Sequence, residues 1–364
     1  MSTILVTGGS GYIGIHVCWS LLKSGYKLIV IDSSVNSNLS LLQNVLQIGL
    51  KENQDFSDSI FFEKGDIRDE PKLSTIFKKA KEKGLPIKAV IHLAGLKAVE
   101  ESIRFPLNYW DSNVNGSIIL FKVMEKYNCK TIIFSSSATI YGSSNIDDLI
   151  NETSKISPIN PYGETKAAIE KILSNLFSSD DKSWSIVNLR YFNPIGAHES
   201  GLIGESPNGI PNNLFPNICQ VAAGKLEKIK IFGKNWPTKD GTCIRDFIHV
   251  MDLADAHKSA LEFLISGGPT FVNINIGTGT GISVLELVNT FQEVNSCNLR
   301  YEFADPRKGD ICKVVADNKL ALSLLDWVPK KGIKDMCKEG WQWEKNKNNL
   351  LKNNNFGIKL KSLI

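Results

Sequence analysis

Thr3-Ile4-Leu5-Val6-Thr7-Gly8-Gly9-Ser10-Gly11-Tyr12-Ile13-Gly14 decides the fold of this chain. A short apolar run meets glycines at 8, 11 and 14, and a helix-compatible stretch, residues 15–23, follows at once. Without side chains at those positions the backbone can turn sharply and set its N–H groups against a pyrophosphate at the helix N-terminus. Taken alone, an ordinary glycine-rich strand-to-helix turn reads the same way. The next stretch adds weight. Asp32 closes the second apolar run, where a carboxylate can accept both hydroxyls of an adenosine ribose, and no Arg follows it in Ser33-Ser34-Val35-Asn36-Ser37-Asn38. NAD is therefore expected over NADP, because Asp32 would repel a 2′-phosphate. Asp32 can also simply cap the next element, and Asp66-Ile67 can cap a helix or reach an adenine.

Outward from this start, apolar runs alternate with longer helix-compatible stretches, the pattern of βαβ units building a parallel sheet. Strands are predicted at 4–6, 28–31, 60–62, 89–93, 131–134, 185–189 and 272–276. Most are followed by Gly, Ser, Asn or Asp, so their C-terminal ends should share one ligand-binding edge. The expected class is α/β: a Rossmann-type doubly wound parallel sheet with a smaller mixed α/β C-terminal domain. After Arg190-Tyr191-Phe192-Asn193-Pro194, a crowd of glycines and prolines between Gly196 and Pro211 marks chain leaving the sheet. The division expected is 1–195 for the NAD-binding domain, with the strand at 272–276 returning to it, and 196–345 for a substrate domain. Residues 346–364, rich in Asn and Lys, are expected to form a solvated or frayed tail.

Composition bounds the partners. The 364 residues are 42% hydrophobic, enough for a large core, and 42 Lys and Arg against 38 Asp and Glu leave a net charge of +4. With no dense basic block before residue 340, nucleic acid is not an expected partner. The start of the chain lacks an export signal, and no apolar run approaches the roughly 20 residues that span a bilayer, so no membrane is expected and the cytoplasm is. Seven scattered cysteines without a C-x-x-C pair suggest neither disulfides nor a metal site.

Tyr162-Gly163-Glu164-Thr165-Lys166 sets a phenol and an ammonium four residues apart, one turn on one helix face. A free Tyr has a pKa of about 10 and is a poor base, but a nearby Lys and a cationic nicotinamide both favour the phenolate. Tyr162 can then take an alcohol proton as hydride leaves the same carbon. Ser157, Pro158, Asn160 and Pro161 suit the turn that starts such a helix. Upstream, Ser135-Ser136-Ser137-Ala138-Thr139-Ile140-Tyr141-Gly142 ends a strand, and Ser137 is the hydroxyl expected to hold the reacting oxygen. Each feature alone is common. In this order, behind a glycine-rich nucleotide start, they point to one site.

These residues resemble the extended short-chain dehydrogenase/reductases, and more closely the UDP-glucose 4-epimerase branch, from residue 3 to about 344. The branch is marked here by stretches such as 92–99, Arg190-Tyr191-Phe192-Asn193-Pro194-Ile195-Gly196-Ala197-His198, Gly209-Ile210-Pro211-Asn212-Asn213-Leu214, Arg245-Asp246-Phe247-Ile248-His249-Val250 and Arg307-Lys308-Gly309-Asp310. The resemblance implies that Gly8, Gly11, Tyr12, Ile13 and Gly14, with Asp32, Ser33, Asn36, Ser37, Asp66 and Ile67, line the cofactor. It extends that lining through Leu93, Ala94, Gly95, Lys97, Ser112 and Ser135 to Tyr162, Lys166 and Phe192. Where the family usually has two Asn before Val-Asn-Gly, this chain has Ser112-Asn113. On the substrate side it implies Ser137, Tyr162, Asn193, Asn212, Asn213, Leu214, Phe232, Arg245, Arg307, Asp310 and Val314. Guanidinium groups suit a diphosphate.

The implied activity is reversible C4 inversion of a UDP-hexose through a 4-keto intermediate, with NAD retained, and a homodimer is expected. Val314 stands where some members carry a bulky Tyr, which leaves room for an N-acetyl group. Epimerases of UDP-glucuronate or UDP-xylose remain alternatives. The 4,6-dehydratases instead resemble a pattern with Asp-Glu after the Ser or Thr, where Ala138-Thr139 stands here. A silent NAD-binding regulator would be expected to lack Tyr162, Lys166 or the hydroxyls.

Overall fold

The computed structural model describes residues 2–142, 148–179, 183–206, 213–307, 309–352 and 360–364. The first half runs β1 (Thr3–Thr7), α1 (Tyr12–Lys23), β2 (Lys27–Asp32), α2 (Ser40–Lys51), β3 (Ile60–Lys64), α3 (Glu70–Glu82) and β4 (Ile87–His92). It continues through α4 (Val99–Arg104), α5 (Pro106–Tyr109), a π-helical turn (Trp110–Asn115), α6 (Gly116–Lys126), β5 (Thr131–Ser137), α7 (Pro161–Phe177) and β6 (Ser185–Tyr191). Beyond it come β7 (Asn193–Ile195), α8 (Leu214–Ala222), β8 (Ile229–Phe232), β9 (Ile244–His249), α9 (Val250–Ser266) and β10 (Thr270–Ile276). The last elements are β11 (Gly281–Ser283), α10 (Val284–Asn295), β12 (Tyr301–Ala304), β13 (Lys313–Val314), α11 (Lys319–Leu325) and α12 (Ile333–Lys352).

Seven parallel strands form the main sheet in the order β10-β6-β5-β4-β1-β2-β3, and each overlaps a stretch read as a strand from the sequence. These strands are apolar on both faces because helices cover both. Ile4 and Val6 join one core with Leu28 and Val30, while Leu5, Ile29 and Ile31 join the opposite one. From β1 the chain steps outward to β2 and β3, then reverses through β4, β5 and β6, which makes the β1/β4 boundary the topological switch point. A small sheet, β11-β9-β13 with β7 on β9, and the pair β12-β8 sit over a third core built on Phe215, Ile231, Phe247 and Phe291.

The chain crosses between these parts more often than expected. Besides β10, helix α9 returns and packs on α1, with Leu253, Ala256 and Leu261 buried in the core of Ile4 and Val6. Strand β7, expected inside the first domain, pairs with β9 in the small sheet. The tail is a second correction: α12 carries the helix to Lys352, and residues 360–364 return to the open edge of the main sheet. There Lys361 O accepts the Phe62 N–H at 2.9 Å, and the Glu63 carboxylate accepts Leu363 N and Ile364 N at 2.7 and 3.0 Å. An edge strand leaves backbone groups unpaired, and fully buried Leu363 adds apolar area, so the end of the chain docks instead of fraying.

Candidate active site

At Gly8 the backbone is left-handed, with φ of 69°, and a Cβ would lie 2.8 Å from Ala94 N. At Gly14 it would lie 2.4 Å from Gly8 O. Both contacts are with backbone, which cannot swing aside, so these two glycines are needed for the turn to exist. Gly11 caps α1 without a side-chain hydrogen bond, which leaves the first N–H groups of the helix, at Tyr12 and Ile13, facing the cradle. Tyr12 reaches the other way: its hydroxyl donates to Gly196 O at 2.8 Å, tying the start of α1 to the loop that leaves the main sheet.

Asp32 is buried and accepts Ser10 N at 3.1 Å, Ser34 N at 2.8 Å and Ser37 Oγ at 2.8 Å. It braces the loop after β2 against the glycine turn; α2 starts at Ser40 without it. Ser33 is half-buried beside it and Asn36 is exposed. Asp66 is no helix cap either, since Asp69 caps α3 by accepting Lys72 N at 2.9 Å. The Asp66 carboxyl is held below its usual range chiefly by hydrogen bonds from the Arg68 guanidinium at 2.7 and 3.0 Å, next to buried Ile67.

Beyond β4, Leu93 N donates to Thr7 O at 3.1 Å and Ala94 N to Thr7 Oγ1 at 3.2 Å, which lays residues 93–95 over the end of β1. Lys97 pairs with Glu205 at 3.1 Å, and its ammonium lies 5.9 Å from the Tyr12 ring centroid. Ser112 sits half-buried on the π-helical turn.

Asn160 accepts Gly163 N at 2.9 Å and Pro161 opens α7, the start expected from the sequence. Lys166, 4% exposed, donates to Ser135 O at 2.7 Å, and its Nζ lies 5.8 Å from the Tyr162 ring centroid. Ser135 Oγ bonds the Tyr191 hydroxyl. Burial pushes the Tyr162 phenol up to about 12, partly offset by a hydrogen bond with Ser137, and lowers Lys166 to about 8 against the pull of Glu170. Ser137 Oγ also accepts Thr139 Oγ1 at 3.0 Å. In register, Thr7 lies opposite His92, His92 opposite Phe134, and Ser137 opposite Tyr191, so these groups share the C-terminal edge of the sheet.

Of the other residues assigned to substrate, Asn193, Arg245 and Val314 lie on the small sheet, Phe232 on β8, Leu214 on α8, and Arg307 and Asp310 between β12 and β13. Val314 is paired with Arg245 across β13 and β9, Asn193 with Phe247 across β7 and β9, and Val314 packs beside buried Phe192. Phe232 ends β8 opposite Ala304 of β12, and the Arg307 guanidinium stacks 4.6 Å from its ring centroid. Arg307 donates to Asp310 from Nη2 at 3.1 Å. Asn213 and Leu214 open α8, with Asn213 exposed. Asn212 lies outside the described residues.

Two residues here were given no role from the sequence. Thr7 lines the end of β1, and Asn113, on a π-helical turn that no periodicity announces, binds Leu96 N and O at 2.7 and 3.0 Å. Glu170 could have been found: it continues the Tyr162, Lys166 stripe by one more turn as a charge among apolar neighbours.

A family model described as GDP-mannose 4,6 dehydratase matches residues 5–340. The UDP-glucose 4-epimerase of Bacillus subtilis (strain 168) is 48% identical over 343 residues, covering 94% of this chain and 96% of that protein. A crystal structure of UDP-glucose 4-epimerase from Stenotrophomonas maltophila, with bound NAD and formylated UDP-arabinopyranose, aligns with a TM-score of 0.89 at 40% identity, covering 96% of this chain and 99% of that one. The enzyme from Bifidobacterium longum, in complex with NAD+ and UDP, aligns with a TM-score of 0.87 at 40% identity over the same shares. Similarity of this extent, on a shared architecture, makes the chain a member of the UDP-glucose 4-epimerase family within the extended short-chain dehydrogenase/reductases.

Proposed function

We infer that this chain is an isomerase, a UDP-glucose 4-epimerase that keeps NAD bound between turnovers. The observation that carries the reading is the meeting of Ser137, Tyr162 and Lys166 at the edge of the sheet, beside a glycine turn with no room for a Cβ. That turn and the buried Asp32 carboxylate fit a dinucleotide's pyrophosphate and ribose. Gly8 to Gly14 would cradle the phosphates, Asp32 with Ser33, Asn36 and Ser37 the ribose, and Asp66 and Ile67 the adenine. Leu93 to Lys97, Ser112, Ser135 and Phe192 would line the remainder. Bound NAD supplies the hydride acceptor and donor and, when oxidised, a positive charge near the phenol.

Tyr162 Oη takes the C4 hydroxyl proton while Ser137 Oγ hydrogen-bonds the same oxygen. The phenolate so needed is held by Lys166: at an effective dielectric of about 20, a charge roughly 6 Å away is worth about 3 kcal/mol, or about two pKa steps. It opposes the upward push of burial on Tyr162. Arg245 and Arg307 hold the diphosphate while the 4-keto sugar turns over, and Tyr162 Oη then returns its proton. Purified protein given UDP-galactose and no added NAD should form UDP-glucose; no product would defeat the reading. A 4,6-dehydratase would need an acid pair after Ser137, and the 3-10 turn of Ala138–Ile140 carries no carboxylate.

Val314 is half-buried, in register with Arg245 and packed on the cluster that includes Phe192, and its small side chain favours acceptance of UDP-N-acetylglucosamine as well. Turnover of UDP-galactose without any of the acetylated sugar, in one preparation, would exclude this. A homodimer in the cytoplasm completes the reading. Supporting the dimer, Ile103, Phe105, Leu107 and Trp110 expose apolar side chains together on α4, α5 and the π-helical turn, Leu107 at 80%. Light scattering should return twice the 40.3 kDa chain mass. All seven cysteines are free, as suits a reducing compartment. Among the described residues no helix is long and apolar enough to cross a membrane.

A further inference from the structure

We propose that Glu170 is a positioning residue for the reaction, fixing Tyr162 and Lys166 against β5 through a buried clamp with Arg190 and Ser136. The proposal rests on the epimerase reading above. Tyr162, Lys166 and Glu170 occupy successive turns of one face of α7. Glu170 is 4% exposed and Arg190 1%. Glu170 Oε1 accepts Ser136 Oγ at 2.5 Å and Arg190 Nε at 3.0 Å, and Oε2 accepts Arg190 Nη2 at 2.6 Å. Ser136 is flanked by the two residues that act on the reacting pair: Ser135 O receives the Lys166 ammonium, and Ser137 is the hydroxyl that eases the Tyr162 phenol downward. Arg190 extends the clamp from Nη1 to Tyr141 Oη at 2.9 Å and Glu152 O at 3.0 Å, and Tyr141 donates to Asn275 of β10 at 2.6 Å. One carboxylate thus ties α7 to β5 and β6, and through Arg190 to β10.

A buried ion pair adds little net stability, because desolvation opposes its attraction. Its consequence here is geometric, and a misplacement of about 1 Å at a reacting group can cost about 100-fold in rate. It is also electrostatic. Lys166 interacts with Tyr162 and Glu170 on α7 and with His92 at the end of β4, and two β6 residues stand behind these, Arg190 on Glu170 and Tyr191 on Ser135. Burial holds His92 neutral, down to about 3, and Tyr191 protonated, well above its usual range. Glu170 is the opposing charge that draws the Lys166 pKa upward. Without it, burial acts on Lys166 unopposed, and the ammonium gives up its proton at lower pH.

The test is Glu170→Gln beside Glu170→Asp and Ser136→Ala in the NAD-loaded enzyme, with kcat, KM, bound NAD and melting temperature recorded across pH. Glu170→Gln should lower kcat by about 10- to 100-fold with KM for UDP-galactose within about twofold, and bring the alkaline limb of kcat to lower pH. Glu170→Asp keeps the charge, so the limb should return to its normal pH with kcat partly restored. Ser136→Ala leaves the ion pair intact and should cost several-fold in kcat alone. An ordinary kcat and pH profile in Glu170→Gln, or losses that only follow the fraction of folded, NAD-loaded protein, overturn the proposal. Should Glu170→Gln fail to fold, unchanged kcat in Ser136→Ala overturns it equally. Inactivity of the unmodified enzyme on UDP-galactose would instead sink the epimerase reading.

Discussion

The two sides of the candidate site are built differently. On the main sheet, Thr7, Asp32, Ser135 and Lys166 are buried and tied to backbone, so the groups assigned to NAD are held before any ligand arrives. On the side of the small sheet and the loops around it, Arg307 and Asp310 pair with each other at 47% and 11% exposure, Asn213 is exposed, and Arg245 donates to its own neighbour, Ile244 O, at 2.8 Å. Chemistry that must run in both directions needs a fixed base, whereas a sugar that turns over in place needs grips at its nucleotide end only. Substitutions on the first side should therefore strike kcat, and those on the second KM.

The largest expected effect is that of Tyr162→Phe, a fall of about 10³-fold in kcat with NAD still bound, read from initial rates and from cofactor released on denaturation. Near-normal activity would remove the base from the first side. Arg245→Ala should raise KM for UDP-galactose by about 10- to 100-fold with kcat little changed, because the charge proposed for the diphosphate would meet it equally in ground and transition states. A fall in kcat alone would erase the contrast. Alkaline pH sharpens it: Lys166 loses its proton near pH 8, so kcat should fall about tenfold per pH unit above that, while KM moves little. Arg307→Ala, at an exposed ion pair, should raise KM only several-fold. Smallest for activity is Leu363→Ala, far from either side, which should lower stability by about 2–5 kcal/mol in denaturant melts and leave both constants alone.

What could be read in advance follows the same division. All seven main strands, the glycine turn, the Asn160 cap and the Tyr162, Lys166 pair were legible because each is a local pattern, an apolar run, a missing Cβ or a fixed helical spacing. Asn113 was not, since a π-helical turn departs from the period on which the reading relies. Nor was the docking of Leu363, because residues rich in Asn and Lys precede it and its partner, Glu63, lies some 300 positions earlier. The sequence leaves Asp66 either to cap a helix or to reach an adenine; Asp69, three residues on among several acids at the head of one helix, makes the cap. Helix α9 was placed with the small domain by its position in the chain, although its buried face belongs to α1.

The bond from the Tyr12 hydroxyl to Gly196 O joins the first turn of α1, where phosphate would sit, to the point at which the chain departs for the small sheet. Any movement of the small sheet away from the main one would pull, through that bond, at the turn assigned to the dinucleotide. One phenol thus couples the seat of the coenzyme to the exit of the chain toward the sugar side, so loosening either end would be felt at the other.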